Sequence, residues 1–217
     1  MSKEKNVIEF YVLCNKLKNV IRSGWKDWNV KRERVESIAE HIYGVQMLAI
    51  GIYSEYDYDI DIFKVIYMIA IHELGEILIG DLTPFEITKA EKIKIEHDAV
   101  HKILGNLLKS KDIEELFLEF DAKETKESRF ANQCDRLECD LQCKLYDEEH
   151  CVDLNDQENN VSIKNEEVRD LVKNNSWSEA WLKFWQKHYN YDENFMAISN
   201  YALNNNITDI EERRTQI

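Results

Sequence analysis

The sequence predicts an all-α fold, and three observations predict it. Glycine and proline number 6 and 1 in 217 residues, where average usage brings about 26 of the two together. A β-sandwich or barrel needs more turns than that supply allows, and a glycine-rich phosphate loop has almost no glycine to draw on. Apolar residues recur at spacings of three and four through most of the chain, the period of one helix face. The length suits one good-sized domain with a core of its own and is short for two.

Taken in order, residues 7–21 carry apolar side chains at 7, 10, 13, 17, 20 and 21 and predict an amphipathic helix. Residues 22–35 lose that period, contain Ser23-Gly24, and read as a loop with two tryptophans, Trp25 and Trp28. Large aromatics in a loop either pin it to the core or line a pocket. Residues 37–56 predict a helix with Ile38, His41, Val45, Leu48 and Ile52 on its inner stripe. Asp57-Tyr58-Asp59 breaks it, and Asp61 caps the next. That helix is expected over 62–79, with Ile62, Val65, Ile69, His72, Glu73 and Glu76 inward, and Gly80 ends it. Leu82-Thr83-Pro84 continues as loop. Thr88 caps a helix over 89–109, another covers 113–123, and a long one covers 127–149 with Phe130, Cys134, Leu137, Leu141 and Leu145 inward. Residues 152–167 are Asn/Asp-rich and predict a polar loop or mobile excursion. One or two closing helices fill 168–217. Trp177, Trp181 and Trp185 fall on one face there, as core or as a subunit interface compatible with a homodimer. No domain boundary is visible, so residues 1–217 read as a single domain with its core over about 10–150.

The formal net charge is -14. A grip on a nucleic-acid backbone needs a basic face, so nucleic acid is not an expected partner. The N-terminal residues lack the apolar segment of a signal peptide. No apolar run approaches the ~20 residues of a membrane span. Cys14, Cys134, Cys139, Cys143 and Cys151 lack the paired spacing of a zinc–thiolate site, and reduced thiols in a cytoplasmic protein are expected. His97 and His101 stand four apart among charged residues and read as a solvated helix face, and His150 and His188 as surface.

Chemistry is expected elsewhere. His41 lies on an apolar stripe, where a hydrogen-bonded core histidine is the alternative to a ligand. His72 and Glu73 are consecutive near the inner end of the most apolar helix, and Glu76 follows one turn later. Burying these three together costs several kcal/mol unless they are paired or bind a cation. Imidazole nitrogen and carboxylate oxygen suit a divalent metal ion such as Mn, Co, Mg, Zn or Fe. The alternative is a helix rolled so that Glu73 and Glu76 face water. Asp135, beside an apolar stripe and followed by Arg136, is the candidate for a further carboxylate from another helix.

A lone His, a His–acid pair and a later Asp form a pattern that resembles the HD-domain metal-dependent phosphohydrolases. Residues 17–25 (LKNVIRSGW), 35–41 (VESIAEH), 71–76 (IHELGE) with 80–84 (GDLTP), and 130–138 (FANQCDRLE) are similar, in order, to segments of the HD-domain 5′-deoxynucleotidases. The resemblance covers about residues 10–150. It implies an HD-domain helical bundle around a central metal site held by His41, His72, Glu73 and Asp135. It implies general acid–base work for Glu76, a place near substrate and water for Asp81, a grip on phosphate by Arg22, and packing near the sugar for Trp25. One position departs: the family has Asp where this chain has Glu73, with the same charge on one more methylene. The resemblance implies removal of phosphate from (deoxy)nucleoside 5′-monophosphates, a small-molecule nucleotide substrate. Two rival readings stay open. One keeps the site but acts on a cyclic nucleotide, a nucleoside triphosphate or a guanosine polyphosphate. The other is a non-enzymatic helical module with a degenerate site.

Overall fold

The computed structural model describes residues 2–82 and 88–209. Thr83 and Pro84 of the GDLTP motif, and the loop assigned to them, lie outside the described residues. Among those described there are eleven α-helices and no strand, only an isolated antiparallel bridge between Ile21 and Ser37. The all-α expectation holds. No helix among the described residues is long and apolar enough to cross a membrane.

The chain divides into two compact units, Met1–Gly24 with Glu36–Asp135, and Trp25–Val35 with Arg136–Ile217. The first unit begins with α1 (Lys3–Cys14), which tightens into a 3-10 helix at Asn15–Asn19. The expected helix over 7–21 therefore stops short. Val20 is extended, its carbonyl accepts from the Ile38 amide, and the Arg22 amide donates to Glu36. This pairing fixes Arg22 beside the start of α3 (Ile38–Glu55), and between them residues 23–27 form a short helix, α2 (Ser23–Asp27), where the sequence predicts a loop. Ser37 and Glu40 cap α3 reciprocally in a capping box. Its buried stripe is Ile38, His41, Val45, Ala49 and Ile52, with Leu48 only half-buried.

Asp61 caps α4 (Ile62–Ile71) as expected, accepting from the Phe63 and Lys64 amides. The single helix expected over 62–79 is two. The α-ladder stops at His72, a turn covers 72–75, and α5 (Glu76–Ile79) follows. The turn is needed because a continuous helix rotates consecutive side chains about 100° apart, whereas here His72 and Glu73 both reach one cluster. Gly80 closes α5 at φ 76°, a left-handed region that favours glycine.

Thr88 and Glu91 form the capping box of α6 (Lys89–Leu104), which ends at Gly105 rather than near residue 109. α7 spans Ser110–Ala122, and α8 spans Lys126–Glu148, close to its expected bounds. The core of the first unit gathers Leu17, Ile38, Ile71, Leu74, Val100, Leu104 and Phe117 from five helical segments and the 72–75 turn. Gly75 sits where α6 comes nearest: a Cβ there would meet Glu96 Cβ and Cγ at 3.2 Å and its Cα at 3.3 Å. Gly75 has φ -57°, so alanine fits its backbone and the contact alone decides the cost. Gly75→Ala should lower stability by about 1 kcal/mol, less than full overpacking because the unfolded chain also loses entropy. Thermal melting should fall by roughly 2–4 °C, and an unchanged or raised midpoint would remove the close approach as an explanation for this glycine.

The second unit is built on tryptophan. Trp25, Trp28, Cys143, Tyr146, Cys151 and Trp177 form its core. The Trp25 ring meets Tyr146 and Trp177 edge-on at centroid distances of 5.4 and 6.1 Å. Of the two roles open to the tryptophan stripe, Trp177 takes the core one. Three closing helices are present rather than one or two: α9 (Glu166–Asn174), α10 (Trp177–His188) and α11 (Glu193–Asn204). The polar segment before α9 is partly interior, because the Gln157 side chain donates to the Trp28 carbonyl and Asn160 donates to Gln157. All five cysteines are free thiols, and four are buried.

Candidate metal centre

Four side chains converge inside the first unit. Ligand atoms of His41 (α3), His72 and Glu73 (the turn after α4) and Asp135 (α8) all lie within 4.8 Å of one another. His41 Nε2 is 3.0 Å from Asp135 Oδ1 and 3.8 Å from Glu73 Oε1. His72 Nε2 is 3.5 Å from Glu73 Oε1 and 3.6 Å from Asp135 Oδ1. The extra methylene of Glu73 does not take its carboxylate out of the cluster. Both histidines are buried.

The tautomer of His72 follows from its partner. Its Nδ1 lies 2.7 Å from the Ile69 carbonyl oxygen, which only accepts, so Nδ1 carries the proton and neutral His72 presents a lone pair at Nε2. That Nε2 is buried with no hydrogen-bond partner among the described residues. A buried nitrogen lone pair facing two carboxylates from a ring fixed at its other nitrogen is how a histidine is prepared for a metal ion. Two imidazoles and two carboxylates match the donor chemistry of a divalent transition ion. The cluster is able to hold one. Burial opposes a positive charge on His72, but Glu73 and Asp135 outweigh it and raise its pKa. Burial alone would raise Asp135, and the hydrogen bond to His41 with the nearness of both imidazoles holds it well below the usual carboxylate range.

Around the four stands a ring of charge. Arg22 donates to Glu73 Oε1 at 3.0 Å. Asp81 Oδ2 accepts the Ser23 amide at 2.7 Å. Burial opposes ionising Asp81, yet Arg22 and the Ser23 amide keep its pKa below the usual value. Glu76 is 2 % exposed. Burial first, then the charges of Glu73 and Asp81, push its pKa up to about 10, against Arg22 and Lys92. Lys92 on α6 is a member of this ring that sequence reasoning missed, since it lies in a charged run that reads as solvated surface. Its spacing of four from Glu96 was the available signal.

The structure therefore brings together His41, His72, Glu73, Asp135, Arg22, Glu76 and Asp81. Trp25 differs: it belongs to the second unit, is 3 % exposed, and spends its ring on aromatic packing. His97 and His101 bind separate carboxylates, Asp121 and Glu114, rather than acting as a pair.

Comparison with known proteins places this arrangement. The HD domain family model matches residues 14–176, and the chain belongs to that family. It is 34 % identical over 152 residues to a Dictyostelium discoideum protein named 5′-deoxynucleotidase HDDC2, covering 66 % of this chain and 79 % of that one. A Danio rerio protein of the same name is 32 % identical over 146 residues, covering 66 % and 70 %. The crystal structure of a predicted metal-dependent phosphohydrolase from Magnetospirillum magnetotacticum shares the fold with a TM-score of 0.63. It is 23 % identical, over 99 % of this chain and 95 % of that one.

Proposed function

We propose that this chain is a metal-dependent phosphohydrolase that removes phosphate from (deoxy)nucleoside 5′-monophosphates. The observation that carries the reading is the His41–His72–Glu73–Asp135 cluster, buried except for the half-buried Asp135, with Arg22 fastened to its edge. The names of the similar Dictyostelium and Danio proteins support the substrate class. The family match runs across both compact units, which supports reading them as parts of one HD-type domain.

In this reading His41, His72, Glu73 and Asp135 hold the divalent ion. When bound, it supplies Lewis acidity toward phosphate and lowers the pKa of water. Arg22 turns its planar fork from Glu73 toward the phosphate oxygens, whose bidentate geometry it matches. Overall the oxygen of a water bonds to phosphorus and the phosphorus–5′-oxygen bond breaks. One proton passes from the water to the leaving 5′-oxygen. The buried Glu76 and the half-buried Asp81, with pKa values pushed in opposite directions, are the carriers for that proton. We assign Trp25 to the core of its own unit rather than to the sugar.

The test is a screen of deoxy- and ribonucleoside 5′-monophosphates, with cyclic nucleotides and triphosphates alongside, in Mn²⁺, Co²⁺ or Mg²⁺ after chelator treatment. Phosphate release from monophosphates that returns only with metal is the expected result. Turnover confined to cyclic nucleotides or triphosphates would move the site to another substrate. No turnover and no metal uptake would leave only the fold.

A further inference from the structure

Lys92 stands where no surface lysine needs to be. Its Nζ is 3.6 Å from Glu76 Oε1 and 3.4 Å from Glu96 Oε1, and its side chain is 28 % exposed. The helix that carries it is seated closely, since Glu96 packs on the one position, Gly75, that has no side chain to keep it away. Glu76, meanwhile, is buried with its two oxygens treated differently. Oε1 faces the ammonium, while Oε2 has no hydrogen-bond partner among the described residues. A buried polar oxygen without a partner calls for a reason. Here one oxygen is held and the other is left for a task.

We infer that Lys92 is a positioning residue for the proposed hydrolysis: braced by Glu96, it holds Glu76 by Oε1 and leaves Oε2 to carry the proton. This rests on the phosphohydrolase reading given above. Lys92 acts through Glu76 and need not touch the substrate. The Arg22 guanidinium is engaged by Glu73, and the cation against Glu76 Oε1 comes from α6. Without the ammonium, the Glu76 carboxyl loses the contact that sets its rotation. A misplacement of about 1 Å in such a group can cost on the order of 100-fold in rate.

The experiment compares wild type, Lys92→Met and Lys92→Arg with a deoxynucleoside 5′-monophosphate and with p-nitrophenyl phosphate, both with Mn²⁺. Manganese affinity is measured separately by electron paramagnetic resonance. Lys92→Met should lower kcat by roughly 10- to 100-fold on the deoxynucleoside monophosphate, whose leaving 5′-oxygen needs the proton, and by less on p-nitrophenyl phosphate, whose leaving group departs as a stable anion. KM and Mn²⁺ affinity should stay within about 3-fold, since positioning acts on the chemical step rather than on binding. Lys92→Arg should recover most of the loss, because it returns a cation of similar reach. A large rise in KM with kcat intact would overturn the assignment in favour of a phosphate contact. A fall in Mn²⁺ affinity matching the fall in kcat would overturn it in favour of packing around the metal ligands. An arginine variant as slow as the methionine variant, or a methionine variant as fast as wild type, would also overturn it. Wild type silent on both esters would instead sink the hydrolase reading, and the role of Lys92 with it.

Discussion

His72→Ala should abolish both metal binding and phosphate release while leaving the helical circular-dichroism signal in place. His72 presents its one lone pair, at Nε2, to the cluster, and the Ile69 carbonyl fixes the ring from behind. Alanine removes a nitrogen donor that no neighbour can replace. Disturbing the groups behind a ligand already costs about 10–100-fold in metal affinity or activity, so removing the ligand itself should exceed that range. The helix does not depend on this side chain, because α4 has ended at Ile71 and His72 is its C-cap. The ring does pack on Phe120 with centroids 5.0 Å apart, so a loss of stability is expected alongside. Isotherms with Mn²⁺ and Co²⁺ on chelator-treated protein, followed by phosphate release, give the answer. Full turnover in the variant, freed of contaminating phosphatase, would refute the metal centre.

Asp140→Ala should be among the most destabilising single changes in the second unit. Asp140 is fully buried on α8. It accepts from Arg136 at 3.1 Å, from the Trp181 indole at 2.9 Å and from the Tyr191 hydroxyl at 2.7 Å. Arg136 in turn lies over the Trp185 ring at 4.3 Å. One carboxylate thus joins α8 to α10 and to the residues before α11. Truncation takes this carboxylate from a largely buried guanidinium, a buried hydroxyl and a part-buried indole N–H, and breaking such a pair costs roughly 3–5 kcal/mol. Denaturant melts should show it as a lower midpoint, and a shift below about 1 kcal/mol would mean water replaces the carboxylate.

The same residue gives a pH test. Burial pushes Asp140 up to about 6, against Arg136, Tyr191 and Trp181. The folded chain therefore holds this proton more tightly than the unfolded chain between about pH 4 and 6. Its contribution is fully present below the unfolded pKa and is lost as pH rises through the folded one, on the order of 3 kcal/mol in all. Against Asp140→Asn, which has no proton to lose there, wild type should give up relative stability across that window. Parallel stability curves would show that Asp140 does not titrate there.

Much of the fold was legible because its signals are local. Asp61 and Thr88 cap helices because a short oxygen side chain can satisfy first-turn amides with no help from elsewhere. Gly80 stands at a positive φ that other side chains rarely adopt. The metal-site candidates were legible for a different reason. His72, Glu73 and Glu76 are expensive in so apolar a segment, and that cost points to a cation before any geometry is known. What failed in the sequence also failed for physical causes. The break at residues 72–75 has no proline and no run of turn formers to announce it, and Gly75 is explained by contact with Glu96, a residue of another helix. The helix over 7–21 stops early because Val20 and Arg22 pair with residues beside Ser37.

By itself, then, the sequence determined the all-helical class, most helix starts, and the residue types from which a metal site had to be drawn. Those properties follow from backbone preference, side-chain period and the cost of burying charge, all readable along the chain. Only the tertiary structure decided that Asp140 ties helices together, that Trp25 is core, and that Lys92 belongs to the site. Each of these is a carboxylate, an aromatic or an ammonium whose role depends on what packs over it. A charged side chain on a helix looks the same in sequence whether water or another buried charge faces it.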